Sequence, residues 1–306
     1  MIYLLTSKSE LKFSKIWQGH LEVVKAVLEI NDSNYKQIDI NQISNFKSND
    51  IIINIGNHQY FGSKILNELG KKISKVGRTV FFMDDYQAPP ATQLRKAIVG
   101  NSNLLITNFL EPVKRKSISM FKQVQVNLNK ASFDLQPLVE SSRPSAFIYW
   151  GSCRNGREDL FVRYFKPELY PTFVSASDRG HNRFTNMLLN YRPLPKMKNL
   201  LASLQNFGFT VMIQDAKQPK MNPPNRFYEA ISAGLPIFFD YESDISNIPN
   251  ANPYTVKNAN EIFERIKNLK NLKLMQLEQR ALLGQRNYRK ELIIDLSKIF
   301  TEYYIL

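Results

Sequence analysis

The sequence predicts an α/β protein built on two doubly wound, mostly parallel sheets. Three observations carry this expectation. The 306 residues exceed one ordinary core and suit two domains of roughly 150 residues each. Short β-branched or aromatic runs alternate with helical apolar stripes. A turn-rich stretch near the middle, after which the alternation restarts, marks a boundary.

In the first half, Ile2–Leu5, Ile51–Ile55, Thr79–Met83 and Leu104–Thr107 read as strands. They are short and apolar on both alternations, as strands buried on both faces must be. Leu21, Val24, Val27 and Leu28 make one helical stripe, and Ile65, Leu66, Leu69 and Ile73 another. The stretch Gln136–Ser145 holds Pro137, Ser141, Ser142 and Pro144 and reads as the linker. In the second half, Ala146–Trp150, Thr172–Ser175, Phe209–Ile213 and Pro236–Asp240 read as strands. Helices are expected over Glu158–Phe165, Met197–Asn206, Asn225–Ala233 and Ala259–Leu269, then from Leu272 to Tyr304 with a break near Gly284. The expected division is residues 1–143, residues 144–285, and a C-terminal helix over 286–306 that packs back on the first domain.

Composition narrows the classes. Hydrophobic residues make up 43%, enough for burial to offset the ordering entropy of a globular fold. The net charge of +14 favours a polyanionic partner such as nucleic acid or a phosphorylated substrate, although a basic solvated surface is the simpler reading. The single cysteine, Cys153, permits no intrachain disulfide and reads as a small packed side chain. No run of 18 or more apolar residues is present, so a membrane span is not expected. Met1–Thr6 lacks the charged start and long apolar stretch of a signal peptide, which leaves a cytoplasmic protein as the expectation.

In doubly wound folds, ligands bind beyond the carboxyl ends of the strands, so the chemistry is sought there. After the Ala146–Trp150 strand comes Gly151-Ser152-Cys153-Arg154-Asn155-Gly156-Arg157-Glu158. Its glycines permit close backbone approach, a helix start attracts phosphate, and Arg154 with Arg157 can fork to a diphosphate. A polar turn with solvated arginines is the competing reading. Arg226 and Glu229 lie three apart on one helix, which Gly234 stops before Pro236. A carboxylate at a helix start can accept from a ribose diol while a neighbouring arginine meets phosphate; an ordinary capping pair looks the same in sequence. Asp84 and Asp85 end the Thr79–Met83 strand. One could deprotonate a hydroxyl acceptor, the two could hold a divalent metal, or they could merely form a turn. The loop Gly56–Lys64 carries Tyr60, Phe61, Gly62, Ser63 and Lys64, a combination that can stack on a base or wedge into a duplex, or be a surface loop only.

Four of these pieces resemble one family. Glu229-Ala230, Gly234 and Pro236 resemble the Glu-Ala-x-x-x-Gly-x-Pro signature of the GT-B glycosyltransferases. Within that superfamily the chain is most similar to the T-even phage DNA β-glucosyltransferases, which attach glucose from UDP-glucose to 5-hydroxymethylcytosine in duplex DNA. Phe61-Gly62-Ser63-Lys64 resembles that family's Phe-Gly-Gly-Lys loop on the DNA side. Asp85 falls where the family has its catalytic aspartate, four residues before Pro89. Ile148-Tyr149-Trp150-Gly151-Ser152-Cys153-Arg154-Asn155-Gly156-Arg157 resembles its Ile-Tyr-Gly-Gly-Ser-Phe-Arg-Ser-Gly-Gln-Arg, with one residue fewer between the arginines. Arg226-Phe227-Tyr228-Glu229 matches its Arg-x-x-Glu.

The resemblance implies two Rossmann-like domains facing a central cleft, with UDP-sugar in the C-terminal one. Arg154, Arg157 and Arg226 would hold the diphosphate, Glu229 the ribose, and Gly151 and Ser152 the loop around them. Arg192 is the nearest candidate for a lysine the family keeps near the phosphates. Asp85, or its neighbour Asp84, would be the base of an inverting transfer of glucose or arabinose to 5-hydroxymethylcytosine. A base inside a duplex is out of reach, so the nucleotide would be flipped, with the Tyr60–Lys64 loop assisting. Mg2+ or Mn2+ would assist UDP release without a dedicated protein cage, and a monomer is expected. Two alternatives remain at this level: a GT-B enzyme acting on a cell-surface glycan or lipid, and a non-catalytic DNA-binding protein on the same scaffold.

Overall fold

The computed structural model describes residues 1–13, 15–42, 46–56, 62–83, 102–114, 118, 121–151, 157–187, 189–213, 223–243, 248, 251–284 and 287–306. The chain forms two compact units: Met1–Ser132 with Tyr288–Leu306, and Phe133–Gln218 with Pro223–Asn287.

The first unit is a six-stranded parallel sheet of order β2-β1-β3-β4-β5-β6. Its strands are β1 (Ile2–Thr6), β2 (Tyr35–Asp39), β3 (Ile51–Asn54), β4 (Arg78–Met83), β5 (Ser102–Thr107) and β6 (Lys122–Gln125). Helices α1 (Lys8–Phe13) and α2 (Lys15–Ile30) follow β1, and α3 (Ser63–Ile73) follows β3. Successive strand residues point to opposite faces, and both faces are apolar. Leu4, Ile53, Phe82 and Leu104 pack against Leu21, Val24 and Leu28 of α2. Leu5, Ile52, Phe81 and Leu105 pack on the other face against Leu66, Leu69 and Ile73 of α3. Each such side chain contributes about 1.5–3 kcal/mol by leaving water. Ile65, expected on that stripe, is 39% exposed instead, because the buried face of α3 runs through Leu66, Leu69 and Ile73 and turns Ile65 outward.

The second unit repeats the plan as β12-β11-β10-β7-β8-β9, again parallel. Its strands are β7 (Arg143–Trp150), β8 (Thr172–Ser175), β9 (Arg192–Leu194), β10 (Phe207–Met212), β11 (Ile237–Asp240) and β12 (Thr255–Val256). Its helices are α4 (Glu158–Tyr164), α5 (Asp178–Asn186), α6 (Leu200–Leu204), α7 (Asn225–Ala233), α8 (Ala259–Ile266) and α9 (Leu269–Gly284). One face of the sheet is an aromatic core in which Tyr149, Phe161, Phe165 and Phe184 meet edge to face, tilted or, for Phe165 and Phe184, stacked, with centroids 5.0–5.9 Å apart. Strands β7 and β10 run so close at Gly208 that a β-carbon there would lie 1.8 Å from the Pro144 carbonyl oxygen.

The expected helix over Met197–Asn206 shortens to Leu200–Leu204. Its sequence offers little support: among the residues of α6 only Leu204 is buried. The final helix, α10 (Tyr288–Glu302), belongs to the first unit. Leu292, Leu296 and Phe300 close the core against α2, while Lys130 reaches Glu291 at 3.2 Å and Asp295 at 3.4 Å.

Candidate active site

Strand β7 is laid down first in its sheet. The chain then builds β8 and β9 on one side and β10 to β12 on the other. The carboxyl ends of β7 and β10 therefore diverge into loops at a switch point, where doubly wound folds bind ligands. Helix α7 rises from the β10 side of this point.

Both ends of α7 are defined by sequence. Pro224 precedes it in extended conformation, since proline lacks the amide a helix interior needs. Gly234 ends it in the left-handed region at φ +73°. The Leu235 amide then donates to the Ala230 carbonyl at 2.8 Å and the Gly234 amide to Ile231 at 3.0 Å. This fixed helix carries Arg226 and Glu229 one turn apart near its start.

The end of β7 receives both. The indole Nε1 of Trp150 donates to Glu229 Oε2 at 2.8 Å. The Arg226 guanidinium lies over the Tyr149 ring, 4.4 Å from its centroid, a cation–π contact. Gly151 follows with φ +118°, a conformation that disfavours any side chain. A β-carbon there would sit 3.1 Å from Arg226 Nη2. Burial pushes the Glu229 carboxyl above the usual carboxylate range, while the Trp150 hydrogen bond and the charge of Arg226 pull it back. Among the described residues, no carboxylate forms an ion pair with Arg226. The result is a cation and a carboxylate side by side at a strand end, beside a glycine that lets backbone come close.

The remaining expected residues fall in different places. Arg157 is buried at the N-cap of α4, the helix that follows β7. Arg192 lies on the edge strand β9, exposed, with its guanidinium 5.6 Å from the Phe173 centroid. It is aligned with Phe173, well back from the strand's carboxyl end, and two strands from β7. Gly62 is the exposed, extended N-cap of α3, Ser63 opens that helix, and Lys64 follows it, exposed. Ser152, Cys153 and Arg154, Asp84 and Asp85, and Tyr60 and Phe61 lie outside the described residues. Among the described residues, no three His, Cys, Asp or Glu side chains gather as a metal site, and no helix is long and apolar enough to cross a membrane.

Sequence reasoning placed Tyr149 and Trp150 in a strand and in the segment that carries the family resemblance, but gave neither a site role. Their site role was signalled by one thing: two large aromatics ending a strand immediately before a glycine. It also passed over a brace beside the site. Asp240, at the buried end of β11, accepts from Arg163 Nη1 at 2.7 Å and from the Tyr164 hydroxyl. Both partners are on α4, so the brace locks the helix that starts at Arg157 to the sheet. Burial and the Asp240 carboxylate together drive the Tyr164 hydroxyl far above its usual range.

No family model matches the chain, and no curated protein matches it in sequence. Solved structures do match over their whole length. The DNA-modifying enzyme β-glucosyltransferase, whose substrate is uridine diphosphoglucose, aligns at a TM-score of 0.75 and 15% identity, covering 100% of both chains. T4 phage BGT with UDP and Mn2+ aligns at 0.73 and 16%, covering 100% of this chain and 99% of that one. An α-glucosyltransferase with UDP and a 13-mer DNA containing an HMU base aligns at 0.64 and 10%, covering 98% and 99%. With its two six-stranded parallel sheets and this full-length likeness, the chain has the GT-B glycosyltransferase fold.

Proposed function

We propose that the protein is a UDP-sugar-dependent glycosyltransferase that modifies DNA, transferring glucose or arabinose to 5-hydroxymethylcytosine. The observation that carries the reading is the cluster of Gly151, Arg226, Glu229 and Trp150 at the switch point of the second sheet. A carboxylate suited to a ribose diol and a guanidinium suited to a diphosphate stand one helical turn apart. The full-length likeness to DNA-modifying and UDP-binding glucosyltransferases supports the same donor, and the net charge of +14 supports a polyanionic acceptor.

In this reading Arg226, Arg157 and Arg154 hold the diphosphate, Arg192 contributes longer-range positive charge, and Glu229 takes the ribose. Gly151 and Ser152 let the loop approach the phosphates. Asp85, or Asp84, accepts the proton of the hydroxymethyl group. That oxygen attacks the anomeric carbon as the bond to the β-phosphate oxygen breaks, so configuration inverts. The charge gathering on departing UDP is stabilised by the arginines, which need no reorganisation at that moment. The target nucleotide is flipped out of the stack, with Tyr60, Phe61, Gly62, Ser63 and Lys64 on the DNA side. The described residues offer no protein cage for Mg2+ or Mn2+; such an ion would be held by the diphosphate, and no step above depends on it. The protein acts as a monomer in the cytoplasm, with residues 1–143 facing DNA, residues 144–285 holding the donor, and residues 286–306 forming a helix that packs on the acceptor domain.

The test is incubation with hydroxymethylcytosine DNA, or unmodified DNA, and UDP-glucose or UDP-arabinose, followed by nucleoside mass analysis. One sugar should appear on hydroxymethylcytosine alone. Donor turnover with no sugar on any nucleoside would move the acceptor to a glycan or lipid; no turnover of either donor would reject the enzyme reading. Asp85→Ala should abolish transfer while calorimetry still shows UDP binding.

A further inference from the structure

We propose that Trp150 is a positioning residue for the donor's nucleoside: its indole N–H fixes the Glu229 carboxylate so that the second oxygen meets a ribose hydroxyl. The inference rests on the donor reading above and goes beyond it, because Trp150 stands where the motif that this segment resembles has glycine.

Four observations carry it. Trp150 is the last residue of β7 and is 6% exposed, so its ring is held by the surrounding fold. Its Nε1 reaches Glu229 Oε2 at 2.8 Å, a good charge-assisted distance. The indole has one donor and no acceptor, so this bond uses its whole hydrogen-bonding capacity. Among the described residues, Oε1 of Glu229 has no partner, which leaves it to accept from a ligand. A glutamate in a helix ordinarily samples several rotamers, and ordering one on binding costs free energy. Here the rotamer is fixed beforehand by a residue from a different element, 79 positions away in sequence. The same bond favours the ionised carboxylate against the burial that opposes it. Arg226, on the same helix, adds its charge, and its guanidinium is held over the Tyr149 ring. Adjacent residues of one strand end thus position the two groups: Tyr149 the cation and Trp150 the anion.

The experiment is calorimetry of UDP-glucose and its 2′-deoxyribose analogue with the full chain. Trp150→Phe keeps a ring and removes the donor. It should weaken UDP-glucose about tenfold, the size of one hydrogen bond to a charged group. It should also narrow the preference for the ribose over the deoxyribose donor. In a Glu229→Ala background the same substitution should cost nothing more, because its target is gone. A Trp150→Phe protein that binds like wild type, or one that loses as much with Glu229 already removed, would overturn the proposal while leaving the donor reading intact. Failure of the wild-type chain to bind UDP-glucose would overturn both. A second measurement does not rely on Trp150→Phe folding. The chain has two tryptophans, so Trp17→Phe leaves Trp150 as the sole indole. Its emission should shift on adding UDP-glucose and stay unshifted in Trp17→Phe/Glu229→Ala; an unresponsive indole in the single variant would count against the assignment.

Discussion

Replacing Gly151 by alanine tests the geometry of the site at one methyl group. Two effects separate. The first is local: at φ +118° an L side chain crowds its own backbone, at a cost of about 1–3 kcal/mol. The second acts across the site. The new β-carbon would lie 3.1 Å from Arg226 Nη2 and 3.9 Å from Cζ, inside normal contact for the first atom. Arginine is long and flexible, so the guanidinium yields rather than blocking the substitution. It moves off the Tyr149 face and loses a contact worth about 0.5–2 kcal/mol. The expected variant folds, melts about 2–4 °C lower for each kcal/mol lost, and binds UDP at least about tenfold more weakly, one charge-assisted hydrogen bond. Thermal melts followed by circular dichroism and calorimetry with UDP read the two effects. In the Gly151→Ala/Arg226→Ala double variant the strain should persist, while binding should match Arg226→Ala alone. A Gly151→Ala protein with wild-type melting and wild-type UDP affinity would refute the reasoning on both counts.

Two further predictions concern stability. His20 on α2 is buried between Trp17 and Phe82, with centroids 5.3 and 5.8 Å away. Burial lowers its pKa from 6.5 to about 4, against a smaller opposing influence from the Leu128 backbone. The folded state therefore holds the ring neutral; its contribution is whole above pH 6.5 and is lost as pH falls toward 4, about 3 kcal/mol in all. Urea midpoints should drop across that window and drop less in His20→Phe, and an identical decline in both proteins would exclude His20 as the cause. Gly208→Ala places a β-carbon 1.8 Å from the Pro144 oxygen and 2.4 Å from its carbon, backbone atoms that cannot swing aside. The loss should exceed about 4 kcal/mol, seen as insoluble or unfolded protein; a soluble variant melting near wild type would contradict the close approach of β7 and β10.

The inner strands were legible because burial on both faces leaves a run that only apolar residues can fill. Ile51–Asn54 and Ile237–Asp240 show it plainly. The outer strands β2, β6, β9 and β12 carry no such mark. Tyr35-Lys36-Gln37 and Lys122-Gln123-Val124-Gln125 face water on one side or at the edge, and their composition is that of a loop. Helix α7 was readable from Asn225 to Gly234 because its stop signal is local, and the i, i+3 spacing alone put Arg226 and Glu229 on one face. What spacing could not supply is long-range. The Trp150–Glu229 bond joins residues 79 apart, Arg163 meets Asp240 across 77, and His20 owes its lowered pKa to burial in a core where it stacks on Phe82 of β4. Such pairs exist only once the sheet has brought distant segments together.

The return of α10 to the first unit has a consequence for synthesis. Residues Tyr288–Leu306 complete a core begun by Met1–Ser132, whereas the second unit is built from the chain between them. During synthesis Met1–Ser132 is made well before Tyr288–Leu306, the segment that closes its core. Until then Trp17, Leu21 and Val24 lack the cover of Leu292, Leu296 and Phe300. The second unit is contiguous along the described chain and meets no such delay, so the apolar face of α2 is the surface left open longest.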